Sequence, residues 1–201
     1  MTNKSSFTGI YEPMPPEQTR AHYDQWSGTY DAELADNGYA TPQRCAEALL
    51  AVQTPVNARI LDFGCGTGVS GEALSQAGFI NIDGCDLSSE MLKKAEAKTL
   101  YSTLWQIEAD GALPGGYDVI AAVGVVSTGA APPETLDLIL DALSSGGRLV
   151  LSFNDHALAD PKFPAKLSSH LASDAKLLFE AYGDHLPGIN LKSAVYVVEK
   201  T

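Results

Sequence analysis

Three glycines at alternate positions follow an apolar stretch that ends in an acid. Asp62 leads into Gly64, Gly66 and Gly68, and a segment typical of a helix comes next. A strand, a glycine-rich turn and a helix in this order bring bare backbone close to a bound nucleotide-like ligand. Asp86 ends the next apolar run, about 20 residues after Gly66, where a second strand places a carboxylate against ribose hydroxyls. The spacing therefore predicts a site for a ribose-containing ligand.

The glycines alone are compatible with two ligand classes. Residues 66–71 satisfy the dinucleotide pattern G-x-G-x-x-G, so a nicotinamide-dependent oxidoreductase is one alternative. A dinucleotide, however, places an anionic pyrophosphate over this turn, and Asp62 would repel it. S-adenosylmethionine places an ammonium and a sulfonium there, which an acid suits. Phe63 and Cys65 also stand where a dinucleotide turn usually opens on glycine, so charge and motif favour S-adenosylmethionine as the cofactor.

Four segments together resemble one family. They are I-L-D-F-G-C-G-T-G at 60–68, G-C-D-L-S-S-E-M-L at 84–92, G-G-Y-D-V-I at 115–120 and G-G-R-L-V-L at 146–151. Their order and spacing resemble class I S-adenosylmethionine-dependent methyltransferases from about residue 20 onward. The stretch at 123–129 with the prolines that follow it is similar to the methyltransferase-like protein of the Williams–Beuren syndrome region and its bacterial relatives.

The resemblance implies cofactor contacts around the glycine turn. Gly64, Cys65 and Gly66 are expected to meet the methionine part of the cofactor. Asp62 is expected to serve its ammonium group, directly or through water. Asp86 is expected to accept hydrogen bonds from the two ribose hydroxyls, because a carboxylate with two such bonds fixes orientation strongly.

Further contacts are implied along the next two strands. Leu87 and Met91 are expected to pack on the adenine face. In the family an acid such as Asp110 accepts from the adenine amino group, and the amide of the next residue, here Gly111, meets the ring. Val123 ends the fourth strand, where the sulfonium is expected to lie.

Aromatic residues near the N-terminus predict a helix that covers the site. Tyr23, Trp26 and Tyr30 share one face of a predicted helix over 17–35, and Asp31 follows. This pattern resembles an element of small-molecule methyltransferases in which the second tyrosine reaches the cofactor carboxylate. We therefore expect a helical lid that excludes water and a cofactor contact from Tyr30.

No residue is assigned a catalytic role from the sequence. His156 follows the fifth strand, near the expected mouth of the site, but a single loop histidine is weak evidence for a base. Methyl transfer to a good nucleophile needs alignment above all, and a base is required only for a protonated acceptor. The chain has Val125-Val126-Ser127-Thr128 in place of the N-P-P-Y type motif of amino-group and base methylation.

Charge and composition limit the classes of substrate that are expected. The chain carries 13 Lys and Arg against 25 Asp and Glu, a net charge of -12. Such a surface repels phosphate backbones, so nucleic acid is disfavoured as a substrate and a small or cationic acceptor is expected. A protein acceptor and a non-enzymatic, cofactor-binding regulatory protein are the alternatives. Monomer and homodimer are both left open.

Three scattered cysteines suggest neither disulfides nor a metal site, and they suit a reducing compartment. No signal-peptide pattern and no apolar run long enough for a membrane span are seen, so a cytoplasmic protein without a membrane partner is expected.

Strands alternating with helices predict an α/β fold. We expect a single domain over 1–201, with a loose leader at 1–19, a helical cap at 17–52 and a Rossmann-like core at 58–201. The core is expected to be a doubly wound, seven-stranded, mostly parallel sheet with helices on both faces, and the family's topology implies an antiparallel last strand. Predicted strands are 58–63, 80–86, 104–108, 117–123, 148–153, 177–182 and 194–199. Predicted helices are 17–35, 41–52, 68–77, 89–100, 133–143 and a short one within 161–173.

Overall fold

A seven-stranded sheet runs through the protein, which a computed structural model describes over residues 14–109 and 111–201. The strands are β1 (Arg59–Phe63), β2 (Asn81–Asp86), β3 (Leu104–Gln106), β4 (Val119–Ala122), β5 (Arg148–Asn154), β6 (Ala175–Leu186) and β7 (Leu191–Lys200). Their order is β3-β2-β1-β4-β5-β7-β6. β7 lies between β5 and β6 and runs antiparallel to both. The predicted sheet with an antiparallel last strand is confirmed.

Helices cover both faces of this sheet. They are α1 (Pro16–Trp26), α2 (Tyr30–Asp36), α3 (Thr41–Ala51), α4 (Val69–Gln76), α5 (Ser89–Ala97), α6 (Thr135–Ala142), α7 (Asp155–Ala159) and α8 (Lys162–Leu171). Successive residues of β1 point to opposite faces. Leu61 packs into a core that includes residues of α6, α7 and α8, whereas Ile60 packs into a core with α3 and α4. The doubly wound architecture is thereby confirmed, and the carboxyl ends of the parallel strands are left free to form a site.

The predicted helix over 17–35 is wrong in one respect, because it is two helices. α1 ends at Trp26 and α2 begins at Tyr30. The hydroxyl of Ser27 donates to the carbonyl of Asp24 at 2.8 Å, and Gly28 disfavours helix in the next position. The aromatic residues of the two helices nevertheless stay together, since Trp26 and Tyr30 lie with ring centroids 4.7 Å apart.

Side-chain caps decide several other boundaries. Ser88 caps α5, accepting from the amide of Met91 at 3.0 Å. Asn154 caps α7, a helix that the sequence analysis did not predict, by accepting from the amide of Ala157 at 2.9 Å. Thr41 is the first residue of α3, and its hydroxyl contacts His185 Nδ1 at 2.7 Å.

The strands at the C-terminal edge are longer than predicted. β6 and β7 form a hairpin of 12 and 10 residues with two register irregularities. The bulges bring the end of β6 toward the N-terminal helices, where Leu186 and Leu191 join Trp26 and Leu34 in a small third core. On the opposite side, His170 of α8 contacts Asp137 and Asp174, at 2.9 Å each, and ties α8 to α6.

Candidate functional site

A cavity, here called the cofactor cavity, opens just beyond the carboxyl ends of β1, β2 and β4. The glycine turn forms its floor, and α1 and α2 cover it. Several predicted cofactor contacts line it together: Tyr30, Gly64, Gly66, Asp86, Leu87, Met91 and Val123. This is the edge at which open parallel sheets bind their ligands.

The glycine turn leaves backbone exposed at one point and packs tightly at another. Gly64 has φ +68°, and a Cβ there would lie 2.6 Å from a methyl of Val125. Gly66 has φ +54°, and a Cβ there would meet nothing within 4 Å. A ligand can therefore approach the backbone of Gly66 directly, whereas Gly64 is required by its conformation and by its neighbour.

Asp86 is held by backbone amides in an orientation that leaves lone pairs for a ligand. Its Oδ2 accepts from the Gly66 amide at 2.9 Å and its Oδ1 from the Ser88 amide at 2.8 Å. Each carboxylate oxygen has a second lone pair, so the group can still accept two hydroxyl hydrogens. Burial raises the pKa of Asp86 above its ordinary value.

Asp62 lies below the turn and does not line the cavity. Its Oδ2 accepts from the hydroxyls of Ser70 at 2.7 Å and Tyr101 at 2.8 Å. Among the described residues, its buried Oδ1 has no hydrogen-bond partner. Burial raises the pKa of Asp62 to about 6. A fully buried carboxylate with one unsatisfied oxygen fits a nearby ligand cation, reached directly or through water.

An apolar slot lies beside Asp86. Leu87, Met91 and Ile107 form its wall, which suits a flat heterocycle. Gly111, expected to offer its amide to the adenine ring, is not among the cavity-lining residues, because that amide donates to the carbonyl of Glu108 at 2.9 Å in a turn. Asp110 lies outside the described residues.

Cys65 is also displaced from its expected place. It is buried under the turn, and its thiol points to the carbonyl of Gly66 at 3.9 Å rather than into the cavity. Burial raises the pKa of this thiol well above its ordinary value, so it stays protonated. Cys65 therefore contributes tight packing beneath the floor of the cavity.

The N-terminal helices are fastened to the turn and to α5 by polar contacts that the sequence analysis missed. The hydroxyl of Thr67 donates to Asp31, and the hydroxyl of Ser88 donates to Asp24. Lys98 adds an ion pair with Asp31 at 3.1 Å. The sequence signal for these contacts was the pair Asp24 and Asp31 beside the aromatic residues. Their spacing of seven residues would be two turns of a continuous helix.

Tyr30 projects from this lid into the cofactor cavity. Burial raises the pKa of its phenol well above the ordinary value, so the group remains a hydroxyl that can donate a hydrogen bond. Tyr23 lies beside it in the same wall. Both positions agree with a lid built from aromatic side chains.

A second cavity, here called the inner cavity, adjoins the first and is smaller. The two cavities share Tyr23, Tyr30, Gly124 and Ala130 in their linings. His185 lines the inner cavity although the sequence gave no reason to select it, whereas His156 lies on α7 and lines neither cavity.

Two negative findings apply to residues 14–109 and 111–201. No cluster of three or more His, Cys, Asp or Glu side chains is arranged to hold a metal ion. None of the helices in these ranges has both the length and the apolar character needed to cross a bilayer. The three cysteines are buried and free.

Comparison with known proteins decides the family. A family model described as a methyltransferase domain matches residues 37–191, which is most of the chain. The chain belongs to this methyltransferase family. Its fold is also that of solved methyltransferases that depend on S-adenosylmethionine. The glycine turn, the carboxylate of Asp86 and the unsatisfied oxygen of Asp62 fit that molecule.

Curated relatives match part of this methyltransferase. Methyltransferase-like protein 27 of Homo sapiens is 35% identical over 117 residues, covering 55% of this chain and 47% of the relative. A ubiquinone biosynthesis O-methyltransferase of Xylella fastidiosa is 33% identical over 109 residues, covering 51% and 44%. The chain spans about half the length of the curated relatives it matches.

Solved structures share the methyltransferase fold at low identity. The [4+2]-cyclase SpnF superposes with a TM-score of 0.69 at 15% identity, covering 96% of this chain and 98% of that one. Magnesium protoporphyrin IX methyltransferase from Synechocystis PCC 6803, with bound S-adenosylmethionine, gives a TM-score of 0.60 at 19% identity, covering 100% and 92%. These similarities bear on the fold alone.

Proposed function

We propose that this protein transfers a methyl group from S-adenosylmethionine to a small-molecule acceptor by in-line displacement. The observation that carries the proposal is the junction of the two cavities. They meet beside Gly124, just after β4, under the lid formed by α1 and α2. The cofactor cavity suits S-adenosylmethionine, and the inner cavity provides space for an acceptor directly beside it.

Different residues of the cofactor cavity would bind different parts of the cofactor. Asp86 would accept from the ribose hydroxyls, and Leu87 and Met91 would pack on the adenine. Gly64 and Gly66 would lie along the methionine part, with Asp62 compensating its ammonium from below and Tyr30 donating to its carboxylate. Val123 would lie near the sulfonium, at the junction of the cavities.

S-adenosylmethionine, when bound, supplies an electrophilic methyl group with a neutral thioether as the leaving group. The protein's task is then to hold the acceptor in line with that group and to keep water out. Tyr23 and Tyr30 line both cavities and would close the space above the transfer point. No catalytic base is assigned.

The small size of the inner cavity and the net charge of -12 support a small molecule rather than a nucleic acid. The Xylella relative's name states an O-methyltransferase of ubiquinone biosynthesis, which is consistent with a small acceptor. A protein acceptor would need an opening wide enough for a side chain and its flanking backbone. A single domain over 1–201, a cytoplasmic location and a monomeric or homodimeric state stay predictions.

Calorimetric titration with S-adenosylmethionine, S-adenosylhomocysteine and NAD tests the cofactor part. We expect both sulfur-containing ligands to bind and NAD not to bind. Asp86→Ala should weaken their binding about 100-fold, because two hydrogen bonds to a charged group are lost. Asp141→Ala, an exposed acid on the far side of α6, is the matched control and should bind normally. Binding of NAD in preference to S-adenosylmethionine would refute the proposal.

A turnover assay tests the enzymatic part. Release of S-adenosylhomocysteine is measured over a panel of small hydroxyl, amine and thiol acceptors, with a protein extract as a separate arm. Turnover on a small molecule supports the proposal. Tight cofactor binding without turnover on any acceptor would favour the regulatory alternative.

A further inference from the structure

The inner cavity has walls that suit a flat ring. Tyr23 and Trp26 lie nearly parallel, with ring centroids 6.0 Å apart and an interplanar angle of 25°. The ring of Tyr39 meets that of His185 edge-on at 5.1 Å. Leu34 and Leu186 complete the apolar part of the wall. Aromatic rings favour offset or edge-to-face contact with another ring, so this cavity favours a planar guest.

Two polar side chains in this cavity have hydrogen-bonding capacity left over. Oδ1 of Asn154 accepts from the Ala157 amide at 2.9 Å and from the Ser127 hydroxyl at 3.2 Å. Because a backbone amide can only donate, the orientation of the Asn154 side chain is fixed, and its Nδ2 with two hydrogens remains for a ligand. Among the described residues, the buried hydroxyl of Thr128 has no hydrogen-bond partner. An unsatisfied buried hydroxyl is costly unless a ligand completes it.

His185 supplies a third polar group. Arg44 Nη1 donates to Ser193 Oγ at 2.9 Å, and Ser193 Oγ lies 3.0 Å from Thr41 Oγ1, which lies 2.7 Å from His185 Nδ1. Because each of the two hydroxyls can donate or accept, this chain of contacts is compatible with an imidazole that carries its hydrogen on Nε2, which is the tautomer that donates to a ligand there. Burial lowers the pKa of His185 to about 4, with the charge of Arg44 acting in the same direction. The ring is therefore a neutral hydrogen-bond donor at physiological pH.

The lining of the inner cavity carries no charged residue. Its described members are aromatic, aliphatic, hydroxyl or amide side chains together with the neutral His185. Placing an ion there would remove it from water without an opposite charge to compensate. The acidic surface of the chain thus favours a cation in general, whereas this cavity favours neither sign.

We propose that the inner cavity is the acceptor subsite and that it takes a neutral, planar aromatic compound with hydroxyl or carbonyl oxygens. Asn154, Thr128 and His185 contact those oxygens, and the aromatic walls hold the ring next to Gly124. This inference rests on the proposed function, because it names the acceptor class of the same site.

Three catechols of similar size, one neutral, one anionic and one cationic, test the inference. The methyl ester of protocatechuic acid is neutral, protocatechuate is an anion and dopamine is a cation. Each is titrated by calorimetry into the full-length protein, first alone and then with saturating S-adenosylhomocysteine. We expect the ester to bind at least 10-fold more tightly than either charged compound, and S-adenosylhomocysteine to leave its affinity unchanged or to increase it.

A pair of threonine variants locates the binding. Thr128→Val keeps the shape of the side chain and removes the unsatisfied hydroxyl. It should weaken ester binding about 5-fold without lowering S-adenosylhomocysteine affinity or thermal stability. Thr103→Val removes an exposed hydroxyl outside both cavities and should change neither affinity.

Several results would overturn the inference while leaving the proposed function intact. These are equal or tighter binding of a charged catechol, competition between the ester and S-adenosylhomocysteine, no ester binding at millimolar concentration, and unchanged ester binding by Thr128→Val. Failure of S-adenosylhomocysteine to bind the wild-type protein is a different result, because it removes the proposed function itself.

Discussion

The buried carboxyl group of Asp62 should make cofactor affinity depend on pH. In the free protein its pKa is raised to about 6 by burial, against the hydrogen bonds from Ser70 and Tyr101. A ligand ammonium nearby favours the ionised form, so only the ionised fraction of the protein binds well. That fraction is about 90% at pH 7 and about 10% at pH 5, so the dissociation constant should rise about 10-fold between them.

Calorimetry with S-adenosylhomocysteine from pH 7 to pH 5 measures this slope. The α-amino group of the ligand stays protonated over that range, so the change reports on the protein. Asp62→Asn removes the contribution of Asp62 to this pH dependence. The variant should bind S-adenosylhomocysteine more weakly at pH 7, and its affinity should change less between pH 7 and pH 5. Asp86 also has a raised pKa and accounts for any slope that remains. Equal slopes for the wild type and Asp62→Asn would refute the assignment.

The same group should lower the stability of the ligand-free protein. A carboxyl group whose pKa is raised on folding stabilises the folded state at low pH, and this contribution is lost as pH rises through about 6. A shift from 3.8 to about 6 corresponds to about 3 kcal/mol at pH 8. In Asp62→Asn the amide nitrogen takes the place of an oxygen that already has no partner. We expect a free energy of unfolding about 1–3 kcal/mol higher at pH 8, measured by urea denaturation. A less stable Asp62→Asn would contradict this.

Three further predictions distinguish residues that affect cofactor binding from residues that only support the fold. Gly66→Ala and Gly146→Ala both place a Cβ in open space at positive φ, so each should lose about 1 kcal/mol of stability by thermal denaturation, but only Gly66→Ala should weaken cofactor binding. Asp31→Ala removes the contacts of α2 with Thr67 and Lys98 and should raise the dissociation constant for S-adenosylhomocysteine about 3- to 10-fold, whereas Asp36→Ala on the same helix should not. His170→Gln removes one link between α6 and α8, while the ion pair of Lys166 with Asp137 remains, and should lower Tm by a few degrees with unchanged calorimetric affinity; a large loss of affinity would contradict the separation of that link from the site.

The sequence was sufficient for the sheet and for most of the cofactor cavity because both depend on short-range patterns. The apolar run before Asp62, the alternate glycines and the acid at Asp86 lie on consecutive elements of one βαβ unit, whose geometry is tightly constrained. Local hydrogen bonds set the rest of the boundaries. The Ser27 hydroxyl helps to end α1, and the Asn154 side chain starts α7. The sequence permits both boundaries, but it permits other hydrogen bonds of these side chains equally well.

The inner cavity could not be predicted because its parts are distant along the chain. The contact between Thr41 and His185 spans 144 positions. Nothing in the neighbourhood of either residue indicates the other until the hairpin of β6 and β7 is placed beside α3. The directions in which Cys65 and Gly111 face could not be predicted for a different reason, since the orientation of a turn residue depends on backbone dihedral angles that residue type does not determine.

The hairpin beneath the lid also sets the order in which the two cavities can form during synthesis. Strands β1 and β2 could pair while later segments are still in the ribosome, because they and the glycine turn belong to one βαβ unit. His185, Leu186 and Leu191 emerge much later, and Trp26 and Leu34 find these packing partners only then. The nascent chain would therefore form the floor of the cofactor cavity first and the far wall of the inner cavity last, which delays completion of the inner cavity until nearly the whole described chain has left the ribosome.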